Sequence, residues 1–125
     1  AEIAQVLRIV VACKLAIGDL AGAKQTLGAI PAAHPQPYLT GCFAYASGDV
    51  AAALTAFRQV DGPDAGSAQL GQAACLLRTG QWQEAHDLFV KTAAAEPLLR
   101  HRAYTGLALL WVRVGELDAA LSALD

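Results

Sequence analysis

The sequence predicts an all-α protein: about eight helices in antiparallel pairs, stacked as repeated units over the whole chain. Three observations carry this. Of the 125 residues, 55% are apolar and 28 are alanine, which forms helix most readily and lets helices approach closely. Gly18, Gly48, Gly80 and Gly115 recur at intervals of 30, 32 and 35 residues, a period that marks stacked supersecondary units. No segment alternates cleanly between apolar and polar residues, so no strand competes.

Each interval repeats one skeleton. Two residues after the glycines stand Leu20, Val50, Trp82 and Leu117; five after, Ala23, Ala53, Ala85 and Ala120; nine after, Leu27, Phe57, Phe89 and Leu124. These offsets fall on a single helical face. The glycine predicts a helix stop, because a left-handed C-terminal residue is least costly without a side chain. Asp19, Asp49 and Glu116 then predict the start of the next helix, where negative charge suits the unpaired amides. The repeated alanine predicts the point of closest backbone approach. Pro35, Pro63 and Pro97 predict the close of each second helix. The expected helices are 2–17 and 20–30, 37–47 and 50–60, 66–79 and 82–95, and 98–114 and 117–125.

The skeleton resembles the tetratricopeptide repeat, in four copies of its second half: glycine, an apolar or aromatic residue, alanine, Phe or Leu, then proline. The first half matches less well. Seven residues before each glycine, where the family favours a small residue, stand Val11, Gly41, Ala73 and Ala108; four before, where tyrosine is common, stand Lys14, Ala44, Leu76 and Trp111; eleven before, where tryptophan is frequent, stand Leu7, Pro37, Gln69 and Tyr104. The resemblance implies that the pairs stack as a right-handed α-superhelix, a single domain over 1–125 with repeats at approximately 2–33, 34–65, 66–97 and 98–125. The first residue is not Met, so the chain reads as trimmed or as a fragment.

What the resemblance implies about function is a concave groove lined by the first helix of each pair, holding a peptide, helix or protein segment. The groove-facing positions would be Arg8, Ala12 and Leu15; Tyr38, Cys42 and Tyr45; Leu70, Ala74 and Leu77; and Thr105, Leu109 and Val112, with Arg78 and Arg113 beside them. Members that clamp a terminal carboxylate use Asn and Lys or Arg at set positions; this chain has no Asn, and of the groove positions only Arg8 is basic. An apolar groove suits an amphipathic helix or extended apolar segment, with Tyr38 and Tyr45 as anchors. The expected role is a protein-interaction scaffold or chaperone-like assembly adaptor. The alternative is a module that self-associates, as a homo-oligomer, or packs on other domains of a longer chain.

Other classes find little support. A net charge of −2 and a pI near 5.9 leave no basic footprint for nucleic acid. No apolar run is long enough to span a membrane. Cys13, Cys42 and Cys75 match no zinc spacing; they read as small buried residues, mildly favouring a reducing, cytoplasmic compartment. His34, His86 and His101 form no metal-ligand pattern, and His86 and Asp87, adjacent on a helix, point apart. Without a phosphate loop or nucleophile elbow, neither an enzyme nor a cofactor is expected.

Overall fold

The glycine joints organise the chain. The structure, a computed structural model, describes residues 2–31 and 35–123, but not the side chains of residues 2, 117 and 119–123. His34 and Leu124 therefore lie outside the described residues, as do the side chains of Leu117 and Ala120. Seven α-helices are present, and no strand occurs among the described residues: α1 (Glu2–Ala16), α2 (Leu20–Ala29), α3 (Pro37–Ala46), α4 (Val50–Arg58), α5 (Ala65–Arg78), α6 (Trp82–Ala95) and α7 (Arg100–Ala123). They fall into two compact units, Ala1–Asp64 and Ala65–Asp125.

Gly18, Gly48 and Gly80 are left-handed, at φ 81°, 89° and 81°. At each, two amides reach back into the helix just ended. Gly18 donates to the Leu15 carbonyl and Asp19 to that of Lys14; Gly48 donates to Tyr45 and Asp49 to Ala44; Gly80 donates to Leu77 and Gln81 to Leu76. This crossed pair satisfies carbonyls that the helix end would leave unpaired. The second residue of each joint also opens the next helix. The Asp19 carboxylate accepts the Gly22 amide at 2.9 Å, and that of Asp49 accepts the Ala52 amide at 3.1 Å. Gln81 makes no such side-chain cap.

In the first unit α2 turns back on α1 and α4 on α3, while α3 packs on both α1 and α2. Val11, Ala23, Ile30 and Leu39 form a buried cluster, against which Leu7, Leu15, Leu27, Tyr38 and Phe43 are partly buried. Phe57 lies across α3 where Gly41 leaves room; a Cβ there would stand 2.6 Å from its ring. In the second unit α6 turns back on α5, and α7 packs on both. Its core holds Leu70, Ala73, Cys75, Leu76, Leu77, Ala85, Phe89, Ala103 and Leu110. The fully buried Thr92 hydroxyl donates to the Leu88 carbonyl at 2.8 Å and lies 3.1 Å from Gln69 Oε1. The repeated alanine is fully buried at all three described positions: Ala23, Ala53 and Ala85 are 0% exposed.

Two expectations need correction. The fourth helix pair is absent, so there are seven helices among the described residues rather than eight: α7 runs unbroken through Gly115 to Ala123. Glu116 lacks the short side chain with which Asp19 and Asp49 cap, and the residues after it are strong helix formers. One interior glycine costs only about 1 kcal/mol, which continued helical hydrogen bonding offsets. The prolines do more than close helices. Pro63 and Pro97 sit in 3-10 turns, Gly62–Asp64 and Pro97–Leu99, that run directly into α5 and α7. Their fixed φ and missing donor suit a helix start.

The joints are separately testable. Gly48→Ala places a Cβ in the left-handed region and should cost about 1–2 kcal/mol. Asp49→Ala, which removes the cap, should cost about 1 kcal/mol. Urea denaturation monitored by helical circular dichroism measures both.

Candidate binding surfaces

The expected groove residues divide by burial. In the first unit Arg8, Leu15, Tyr38, Cys42 and Tyr45 are all half-buried. Leu15 and Tyr38 pack on the Val11–Leu39 cluster, and the Tyr38 ring lies 6.0 Å from that of Phe57, tilted by 49°. Arg8 is already engaged: its guanidinium donates to Asp64 Oδ2 at 3.2 Å, while its buried Nε has no hydrogen-bond partner. Its charge is therefore directed within the unit.

In the second unit Leu70 and Leu77 are only 6% and 7% exposed, which corrects their reading as groove-lining residues. The three-residue α-helical spacing that suggested a groove face also describes a core face, and here it is core. Arg78 is exposed. Leu109 and Arg113 do come together. With Val112 and Glu116 they form the i, i+3, i+4, i+7 face of α7, and Trp82 faces them from the first turn of α6. These five residues line an open cleft of about 610 Å³. Its apolar floor is Trp82, Leu109 and Val112; Leu109 and Val112 are each 56% exposed. Arg113 and Glu116 give it one edge of each charge.

The sequence reading missed Trp82 and Glu116 as lining residues. Trp82 occupies the position two after the glycine, on the repeated apolar face of the second helix. That position is half-buried in all three described cases, Leu20, Val50 and Trp82, so a large residue there has one side left to present. A smaller cleft of about 230 Å³, lined by Val90, Ala93, Ala94, Arg100, Tyr104 and Leu107, lies elsewhere along α6 and α7. Arg100 Nε donates to the Ala93 carbonyl there at 3.3 Å.

A further apolar surface lies on α1. Ile3, Val6 and Ile9, with Ile17 just past the helix end, are 74%, 59%, 64% and 80% exposed. Because α1 is apolar on both its inner and outer faces, periodicity selected the inner one and passed over this stripe.

The cysteines differ from expectation. Cys75 is buried, but Cys42 is half-buried and Cys13 exposed. His86 Nδ1 comes within 3.4 Å of Asp87 Oδ1, closer than adjacency on a helix suggested. Both are solvent-accessible, and Gln83 Nε2 donates to the same Asp87 oxygen at 2.9 Å. No group of three His, Cys, Asp or Glu residues among the described residues is placed to hold a metal ion. No helix there is long and apolar enough to cross a membrane.

No protein-family model, curated protein or solved structure matches the chain. The fold and surfaces above define its class: an all-helical protein built from glycine-jointed helix pairs.

Burial pushes the Cys75 thiol pKa up, with the Arg78 charge opposing it. The folded protein thus holds that proton more tightly than the unfolded chain. The contribution is fully present below the unfolded thiol value and is lost as pH rises through the folded one, so stability should fall on the alkaline side. At pH 8 a disulfide reagent should label Cys13 first and Cys75 only as the second unit opens, with mass spectrometry resolving the order.

Proposed function

We propose that this protein is a tetratricopeptide-like helical-repeat scaffold, a chaperone-like adaptor whose helix pairs stack into a right-handed superhelix and dock an apolar helix or extended segment of a partner protein. The observation that carries the reading is the Trp82–Leu109–Val112 cleft, edged by Arg113 and Glu116. A tryptophan and two branched aliphatics at the floor, with opposite charges at the rim, suit an amphipathic segment that buries two or three anchors and orients itself by charge. Of the groove residues read from the sequence, Leu109, Val112 and Arg113 serve this cleft. Tyr38 and Tyr45 remain candidates for a second contact. We place it in a cytoplasmic setting, in keeping with three cysteines that form no disulfide.

The second reading, self-association or packing on another domain, is favoured by the exposed Ile3, Val6, Ile9 and Ile17 stripe. Panning a random peptide display library against the protein tests the first reading. It should enrich sequences with apolar anchors at helical or alternate spacing. Leu109→Asp should weaken the selected peptides by about tenfold or more, as loss of a central anchor does. Leu98→Asp, at a 97% exposed residue outside the cleft, should leave binding unchanged. Equal binding by the Leu109→Asp protein would remove the cleft from the account.

A further inference from the structure

Two open apolar faces, one on α1 and one on α7, each repeat a face that is covered elsewhere in the chain. Within the first unit α3 packs on α1, and within the second α7 packs on α5. Counted back from Gly18, Gly48, Gly80 and Gly115, one burial pattern recurs in both. The receiving helix buries the positions seven and three before its glycine. On α1 these are Val11, 0% exposed, and Leu15, packed against the Val11–Leu39 cluster; on α5 they are Ala73 and Leu77, 0% and 7% exposed. The arriving helix buries the positions nine and five before. On α3 these are Leu39, 6% exposed, and Phe43, packed against the same cluster; on α7 they are the half-buried Gly106 and Leu110, 3% exposed. Both sets are i, i+4 rows, the ridges by which two helices interlock. α7 keeps the register although no turn forms at Gly115.

Each set also occurs uncovered. On α1 the arriving positions are Ile9, 64% exposed, and Cys13, also exposed, with Val6 at 59% beside them. No charge guards this face, because Arg8 turns to Asp64 and Lys14 donates to Thr26. On α7 the receiving positions are Ala108, exposed, and Val112, 56% exposed. Tyr104 and Trp111, 55% and 64% exposed, stand one turn to either side of Ala108. A small residue between two rings leaves a gap that suits a branched side chain.

We propose that α7 of one copy of this chain receives α1 of a second copy. Ile9 and Cys13 take, on the Ala108–Val112 row, the places that Leu39 and Phe43 take on Val11 and Leu15. Continuity with the internal contacts selects this occupant: α1 carries the arriving face of α3 and α7 the receiving face of α1 and α5. A second copy therefore supplies both halves of an interface that the fold already builds twice. Because the two faces differ, the contact is heterologous. A copy held through its α1 keeps its α7 open, and association runs head to tail. The proposal rests on the self-association reading above and narrows it to this pair of faces.

Two variants, each blocking one face, test the pairing. Ile9→Asp and Trp111→Asp both change a residue 64% exposed and outside the Trp82 cleft, and circular dichroism checks that helicity is kept. In sedimentation across a concentration series the unaltered chain should grow past a dimer. Each variant alone should associate about tenfold or more weakly, as loss of a central anchor does. Mixed in equal amounts, the two should form a dimer that grows no further, since one brings an intact α7 and the other an intact α1. A strict monomer for the unaltered chain would overturn the pairing and the self-association reading together. Undiminished association of either variant alone, or a mixture that stays monomeric, would overturn the pairing and leave self-association through another surface. A second measurement does without the aspartates. In an Ala108→Cys chain, mild oxidation should join positions 13 and 108 of different copies, as identified by peptide mass spectrometry. Bonds joining only like positions, or none between copies, would also overturn it.

Discussion

Every helix pair depends on a two-residue joint in which one side closes a helix and the other opens the next. At Gly18–Asp19 and Gly48–Asp49 the glycine supplies the left-handed turn, and the aspartate amide bonds five residues back. The aspartate carboxylate meanwhile accepts an amide three residues on. No loop intervenes, so the second helix must reverse at once and lie along the first. Register is then set by the joint: a fixed number of residues on either side meet, which places Ala23 and Ala53 at full burial. Gly80–Gln81 keeps the turn without the side-chain cap, and α6 is held by the packing of Ala85 and Phe89 in its place.

The contrast with Gly115 shows what the joint requires. A glycine permits a left-handed turn but does not impose one, since it is also tolerated within a helix at modest cost. The reversal forms where a capping aspartate or a well-buried return accompanies the glycine. Glu116 supplies no short capping oxygen, and α7 continues. The consequence is chemical as well as architectural. Continuation places Arg113 and Glu116 on the face that meets Trp82, and it leaves Tyr104 and Trp111 facing solvent.

The sequence made the helical class, the three joints and the buried alanines legible because each rests on a local rule with a fixed offset. Helix ends from 2–17 through 82–95 were read to within two residues of those observed. The surface was less legible. Leu70, Leu77 and Leu109 carry the same hydrophobic signal, yet two are core and one is 56% exposed. Periodicity names a face without saying which neighbour covers it. For the same reason Cys13 and Cys75, at the same offset in the first and third repeats, differ completely in exposure. Trp82 was hidden by its double use, one side in the joint and the other in the cleft. Whether the pairs stack as a superhelix, and what they bind, are matters of the function proposed here.

The claim that the joints hold the pairs is tested most directly by amide hydrogen exchange at Asp19, Asp49 and Gln81. Each of these amides donates across its glycine to the helix just ended, to the Lys14, Ala44 and Leu76 carbonyls at 2.8, 2.9 and 2.9 Å. The account predicts that all three exchange well below free-peptide rates and open together with the helices they join. Free-peptide rates at these three amides, with the flanking helices still protected, would contradict it.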